Sequence, residues 1–211
     1  MYDYVLFDMD GTVSDSSLGI TKGMQLALRT MGVEEELENL KQFIGPPAKY
    51  TFRDYYGFDE ETGLEAMRIY REYYGRIGLF ENELYPGFEE LLKRIKASGR
   101  KIAVATSKPE KFTVPILKKF GIYDYFDEVA GAIDGMRVDK CDVIDEALKR
   151  LGNPDKNKVV LVGDTRFDAE GAARSGIDCI GVLYGFGSEE SLREAGAKYI
   201  AETVEDVFKY L

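Results

Sequence analysis

Residues 4–15 read YVLFDMDGTVSD. Four apolar or aromatic residues run straight into Asp8, with Asp10 two positions on and Gly11 and Thr12 behind it. A short continuous apolar run bounded by turn-formers is the pattern of a strand buried on both faces of a parallel sheet. Three further runs share it, KIAVATS (101–107), KVVLVGD (158–164) and DCIGVLYG (178–185), and DEVAG (127–131) predicts another short strand. Between them lie amphipathic helix patterns: GFEELLKRIKASG (87–99), PEKFTVPILKKFG (109–121), CDVIDEALKRLG (141–152) and DAEGAARSG (168–176). In the first, Phe88, Leu91, Leu92 and Ile95 recur at helical spacing and Gly99 stands where a C-terminal cap belongs. Strand and helix in alternation imply an α/β fold, a doubly wound parallel sheet with right-handed crossovers.

Residues 15–85 break that rhythm. GITKGMQLALRTMG, EELENLKQFIG, KYTFRDYYG and GLEAMRIYREYYGRIG are helix-like and carry no convincing β-branched run. The sequence therefore predicts a catalytic core over 1–14 and 86–211, with a helical domain over 15–85 inserted after the first strand. The two linkers, near 14–17 and 82–86, would be adjacent and could serve as a hinge.

Composition narrows the chemistry. The chain has 211 residues, 45% hydrophobic and 31% charged, an ordinary globular balance. A net charge of −10 argues against nucleic acid or an anionic membrane as partner, and no stretch approaches the roughly 20 apolar residues of a membrane span. A small anionic metabolite stays open, because a local cation overrides the global field. Asp3, Asp8 and Asp10 interrupt the only apolar run near the N-terminus, which does not read as a secretory signal. Cys141 and Cys179 lack metal-ligand spacing, so reduced thiols and a cytoplasmic setting are expected. There is no histidine, which excludes every imidazole mechanism and His-ligated zinc.

In an open parallel sheet, ligands bind beyond the carboxyl ends of the strands. There stand Asp8 and Asp10 after the first run, Thr106 and Ser107 after the second, and Asp164 with Asp168 after the third. Four carboxylates gathered in one place call for a hard divalent cation such as Mg²⁺. Asp8 could then attack a phosphorus atom, while Asp10 stays partly protonated, gives a proton to the leaving oxygen and next activates water. Gly11 lets the backbone approach closely, and the Gly11 and Thr12 amides could bind phosphoryl oxygens. Singly, each Asp could be a turn-former or helix cap, and Thr106 or Ser107 could cap a helix starting at Pro109. Their coincidence at matching strand ends favours a site. Lys140 opens a helical pattern of Val143, Ile144, Ala147, Leu148 and Leu151. A cation there opposes the helix dipole by about 0.3–1 kcal/mol. It is either a solvated lysine offset by Asp139 and Asp142, or an ammonium that joins the helix amides in holding an anion; the nearby carboxylates favour the second.

These residues resemble the motifs of the haloacid dehalogenase superfamily of phosphohydrolases: DMDGT (8–12), VATS (104–107), Lys140 and GDTRFD (163–168), in that order and without departure. The resemblance implies a Rossmann-like core with a helical cap inserted after the first motif. It implies Asp8 as the phosphorylated nucleophile and Asp10 as general acid and base, its backbone carbonyl also a ligand of Mg²⁺. It further implies Thr106 and Lys140 on the phosphoryl group, Asp8 and Asp164 on the metal, and Asp168 supporting the metal site from behind. FIGPP (43–47), YPGFEELL (85–92), VATSKP and GVLYGFG (181–187) resemble the phosphoglycolate phosphatase-type subgroup. Similar GPP and TSKPE stretches occur in 5′-nucleotidases, so a small phosphorylated metabolite is expected, with phosphoglycolate the first choice and a nucleoside monophosphate the alternative. Dehalogenases lack the second aspartate, which Asp10 supplies here, and phosphonatase-type relatives need a cap lysine that the contexts of Lys22, Lys41 and Lys49 do not mark. A β-phosphoglucomutase-like mutase would keep every core motif, and a non-catalytic phospho-ligand sensor would not need them intact. Lys49 and Arg53, and the aromatic run around Tyr50, Phe52, Tyr55 and Tyr56, are the insert's candidates for reading the rest of the substrate.

Overall fold

The computed structural model describes residues 1–45, 48–133, 136–137 and 139–211, without the side chain of Lys49. In chain order the first elements are β1 (Tyr4–Phe7), β2 (Ser14–Asp15), α1 (Ser17–Thr30), α2 (Leu37–Leu40), α3 (Ala48–Tyr50), α4 (Glu60–Arg76) and β3 (Glu83–Leu84). There follow α5 (Phe88–Ala97), β4 (Lys101–Pro109), α6 (Glu110–Lys119), β5 (Glu128–Ala132), α7 (Lys140–Arg150) and β6 (Val159–Gly163). The chain closes with α8 (Arg166–Ser175), β7 (Asp178–Val182), α9 (Glu189–Glu194) and β8 (Tyr199–Ala201).

Met1–Ser14 and Leu84–Leu211 form one unit, and Asp15–Glu83 a second. In the first, six strands make a parallel sheet in the order β5-β4-β1-β6-β7-β8, the doubly wound, Rossmann-like arrangement. The outermost strand, β8, carries no signal that marked it in the sequence. Val5, Leu6 and Phe7 of β1 are wholly buried, as a central strand between two helical layers requires. On one face Leu6, Ala103 and Leu161 pack with Ile144, Ala147 and Leu148 of α7 and Ala169 and Ala172 of α8. On the other, Phe7 meets Phe88 of α5 edge-on at 5.2 Å, and Leu91, Leu92 and Ile95 are buried beside it. Leu84 and Tyr85, predicted as part of the insert, fall with the sheet unit. The Tyr85 amide donates to the Val13 carbonyl at 3.2 Å, and its ring packs edge-on against Tyr184 at 4.9 Å.

The second unit is helical. Met24, Ala27 and Leu28 of α1 and Ala66 and Tyr74 of α4 are buried in it. The chain continues from α3 into a π-helical turn at Thr51–Tyr55, and Asp59 caps α4 by accepting from the Thr62 amide at 2.8 Å. β2 and β3 pair as a two-stranded ribbon where the chain leaves and re-enters the sheet unit. Among the described residues, no helix is long and apolar enough to cross a membrane.

Candidate active site

The strand register levels the ends on which the site is built. Phe7 lies opposite Val104 on one side and Val162 on the other, so Asp8 emerges beside Ala105 and Gly163, with Thr106 and Asp164 one step further out. The Asp8 amide donates to the Val162 carbonyl at 2.9 Å, which fixes the first residue past β1 to the sheet. Lys140, at the start of α7, is buried and reaches Asp8 Oδ1 at 2.5 Å and Asp168 Oδ1 at 2.6 Å. Burial works against this ammonium, but Asp168 and Asp8 outweigh it and its pKa is raised. Burial is also the largest influence on Asp8. With Asp168 and Asp10 adding their charge and Lys140 opposing, its carboxyl is pushed up to about 6.

Asp10 has a partner of its own. Lys108 Nζ lies 2.7 Å from both Asp10 oxygens, with the lysine side chain 3% exposed. The structure thus sets Asp10 in an ion pair with a lysine that the sequence did not single out. Lys108 was missed because the sequence ends the strand at Ser107 and starts a helix at Pro109. β4 in fact runs on to Pro109, with its pairing to β5 shifted between Thr106 and Pro109. The one signal available was a lysine in the middle of a run that continues an otherwise buried strand.

Asp164 is fully buried. Its Oδ1 accepts from Thr12 Oγ1 at 3.2 Å and its Oδ2 from the Phe186 amide at 2.8 Å. Burial, then the charges of Asp168 and Asp8, raise its pKa well above the carboxylate range. Gly11, at φ +81°, turns the first loop against it: a Cβ there would stand 2.1 Å from Asp164 Oδ2. A Cβ on Gly185 would stand 2.5 Å from the same oxygen. The stretch 181–187 thus has a physical task that the sequence did not disclose, closing the Asp164 pocket with Gly185 and the Phe186 amide. Asp168 is the third residue of α8: its Oδ2 accepts from the amide and the hydroxyl of Thr165, each at 2.9 Å. It therefore completes a capping box and holds Lys140 at the same time.

Asp8, Asp164 and Asp168 each offer a carboxylate oxygen within 4.8 Å of the others. Lys140 and Thr165 engage the two Asp168 oxygens, Thr12 and the Phe186 amide the two Asp164 oxygens, and Lys140 one oxygen of Asp8, so all three carboxyls are tied in place around the space a cation would take. The residues fit a hard divalent ion, because the donors are all oxygen and too few ammonium groups face them.

Two of the predicted donors are used differently. The Gly11 amide donates to the Ser14 carbonyl at 2.9 Å and the Thr12 amide to the Met9 carbonyl at 3.4 Å. These bonds close the tight loop behind Asp10, so neither amide is presented to a phosphoryl group, and the Thr12 hydroxyl serves Asp164. Thr106 is buried, and its Oγ1 accepts from the Lys108 amide at 3.1 Å, which leaves its own proton to donate; Ser107 beside it is half-buried. Arg53 lies in the inserted unit, exposed and clasped by Asp54 at 2.5 and 2.8 Å. The Lys49 side chain lies outside the described residues. Lys22 and Lys41 are paired with Glu81 and Glu38, and neither is a desolvated amine.

The sequence matches the family described as "Haloacid dehalogenase-like hydrolase" over residues 5–182. A 5′-nucleotidase of Pseudomonas aeruginosa is 41% identical over 194 residues, covering 91% of this chain and 87% of that protein. Phosphoglycolate phosphatase 1 of the same organism is 27% identical over 213 residues, covering 96% and 77%. A solved structure described as a "predicted phosphatase" from Clostridium acetobutylicum is similar with a TM-score of 0.94 at 43% identity, covering 100% and 98% of the two chains. Protein Tyrosine Kinase A of Mycobacterium tuberculosis is similar with a TM-score of 0.86 at 35% identity, covering 99% and 97%.

Proposed function

The chain belongs to the haloacid dehalogenase-like hydrolases, and from that premise we propose a magnesium-dependent phosphomonoesterase that works through an aspartyl phosphate at Asp8. The charge at the strand ends carries the proposal. Among the described residues, four carboxyl groups, Asp8, Asp10, Asp164 and Asp168, outnumber the two ammonium groups that meet them, Lys108 and Lys140. Asp8 and Asp164 would hold Mg²⁺, with the Asp10 carbonyl as a further ligand. Bound there, Mg²⁺ would offset the charge of the carboxylates and of the incoming phosphoryl group.

The chain's own residues then divide the work. An Asp8 oxygen forms a bond to phosphorus as the ester P–O bond breaks, and Asp10 gives its proton to the leaving oxygen. In the second half, Asp10 takes a proton from water whose oxygen attacks the same phosphorus. The Asp8–phosphorus bond breaks, and inorganic phosphate leaves. Thr106, Ser107 and Lys140 hold the phosphoryl oxygens, and Asp168 keeps Lys140 in place.

A nucleoside 5′-monophosphate is the favoured substrate, because the 5′-nucleotidase relative is much more similar than the phosphoglycolate phosphatase. In the inserted unit Tyr55 is 61% exposed and meets Phe43 edge-on at 4.7 Å, an aromatic surface suited to a base. Phosphoglycolate is the second reading, supported by the 27% relative and the stretches of its style. Release of inorganic phosphate from nucleoside monophosphates, phosphoglycolate, sugar phosphates and phosphotyrosine, with and without Mg²⁺, tests both. Mg²⁺-dependent release, fastest from nucleotides, is expected. Isomer exchange without release would make the protein a mutase, and release undiminished by a chelator would overturn the proposal.

A further inference from the structure

We infer that Lys108 is a positioning residue for Asp10: it anchors the Asp10 carboxyl so that one oxygen stays on the ammonium while the other is presented to the leaving group. This rests on the phosphatase function proposed above and adds a residue to it. A lysine rarely lies fully buried unless its charge is met, and Lys108, 6% exposed overall, is met by both oxygens of one carboxylate at 2.7 Å. Its backbone is bent to achieve this. Thr106 pairs with Gly131 and Pro109 with Ala132, so β4 inserts two residues, Ser107 and Lys108, where β5 advances by one. Such bulges re-aim side chains beside active sites. The Lys108 amide closes the bulge on Thr106 Oγ1 at 3.1 Å. Opposite, a Cβ on Gly131 would stand 2.7 Å from the Lys108 carbonyl and 2.5 Å from the Glu110 amide nitrogen, so the bulge nests against bare backbone.

The two buried lysines are also divided between the two aspartates of the first loop. Lys140 serves Asp8 and Asp168, whereas Lys108 serves Asp10. A carboxyl that must face the leaving oxygen in one half-reaction and water in the next gains from a fixed pivot, since misplacement costs rate steeply.

The test exploits the leaving group. An alkoxide needs a proton as the P–O bond breaks, and p-nitrophenolate does not. The burst of leaving-group release is measured in the full-length protein with a nucleoside monophosphate and with p-nitrophenyl phosphate. Lys108→Met is expected to slow the nucleotide burst by about 100-fold and the p-nitrophenyl burst by less than about fivefold. In the Asp10→Asn background, Lys108→Met should add less than about threefold, because the lysine acts through that carboxyl. Lys108→Gln, which keeps one donor, should show the same leaving-group bias with a smaller loss, and it serves if Lys108→Met does not fold. Equal losses on the two esters, independent effects of the two substitutions, or weakened tungstate binding would each overturn the assignment; the last would make Lys108 a phosphate ligand. A wild-type protein without Mg²⁺-dependent release would instead defeat the proposed function, and the Lys108 role with it.

Discussion

Asp8 and Asp10 are two residues apart and meet different fates. Asp8 lies against Lys140 with Asp168 behind it, while Asp10 is held from both oxygens by Lys108. Under the proposed function, that separation would let one carboxylate serve as nucleophile and the other move a proton. Asp8→Asn should abolish phosphate release in a steady-state assay, and Asp10→Asn should slow it by about 100-fold or more. Near-normal turnover in Asp8→Asn would refute the division. Asp164 is shaped by its neighbours as much as by its own charge. A methyl group at Gly185 would press on its Oδ2 and on the Gly11 carbonyl, at 2.5 and 2.3 Å. Gly185→Ala should therefore raise the Mg²⁺ concentration for half-maximal activity by about tenfold or more, with the substrate KM much less affected. An unchanged Mg²⁺ titration would show that the 181–187 loop does not shape the metal site.

At the scale of elements, the site exists because β1 and β6 end side by side, next to the stretch of β4 that carries Thr106 and Lys108. Asp127, just before β5, ties together the opposite, amino-terminal ends of the strands. It accepts from the Ile102 amide and from Lys96 and Lys101, each at 2.9 Å, which links α5, β4 and β5. Burial would raise this carboxyl, but the Ile102 amide, Lys101 and Lys96 outweigh it and hold it down at about 2. A depressed carboxyl stabilises the fold above its unfolded value, near 3.9, and the contribution is lost as pH falls through the folded one. Asp127→Asn should cost about 1–2 kcal/mol at pH 7 in urea unfolding, and the gap to wild type should close between about pH 4 and pH 2. A gap that persists at pH 2 would mean the loss is one of packing.

The strands that carry the site were legible in the sequence because each holds an unbroken apolar run, and Asp8, Thr106 and Asp164 were legible as the polar residues that follow those runs. Lys108 was not, because the apolar run stops before it and a two-residue bulge carries β4 on to Pro109. Nor were the committed amides of Gly11 and Thr12, which depend on the closure of one loop, or the Phe186 amide, which reaches Asp164 from 22 residues away. β8 was hidden for a related reason: an edge strand of three residues, Tyr199–Ala201, has too short a pattern to register.

At the scale of the whole molecule, every charged group of the candidate site lies in Met1–Ser14 and Leu84–Leu211, and the bond from the Tyr85 amide to Val13 holds the two ends of the insertion together within that unit. Replacing residues 15–83 with a short Gly-Ser linker should therefore leave a folded core. It should still hydrolyse p-nitrophenyl phosphate with Mg²⁺ while losing its preference among natural phosphomonoesters. A folded core that kept the full preference would remove substrate choice from the insert. The net charge of −10 is no obstacle to an anionic substrate, because the buried lysines, joined by the proposed divalent ion, would set the local field.

The most direct measurement quenches the enzyme in acid during turnover, reduces it with borohydride and maps its peptides by mass. An acyl phosphate is reduced to an alcohol, so the reduced product, homoserine, is expected at position 8, abundant with Mg²⁺ and absent when the cation is chelated. Reduction at any other carboxylate, or none at all in a protein turning over at full rate, would contradict an aspartyl phosphate at Asp8.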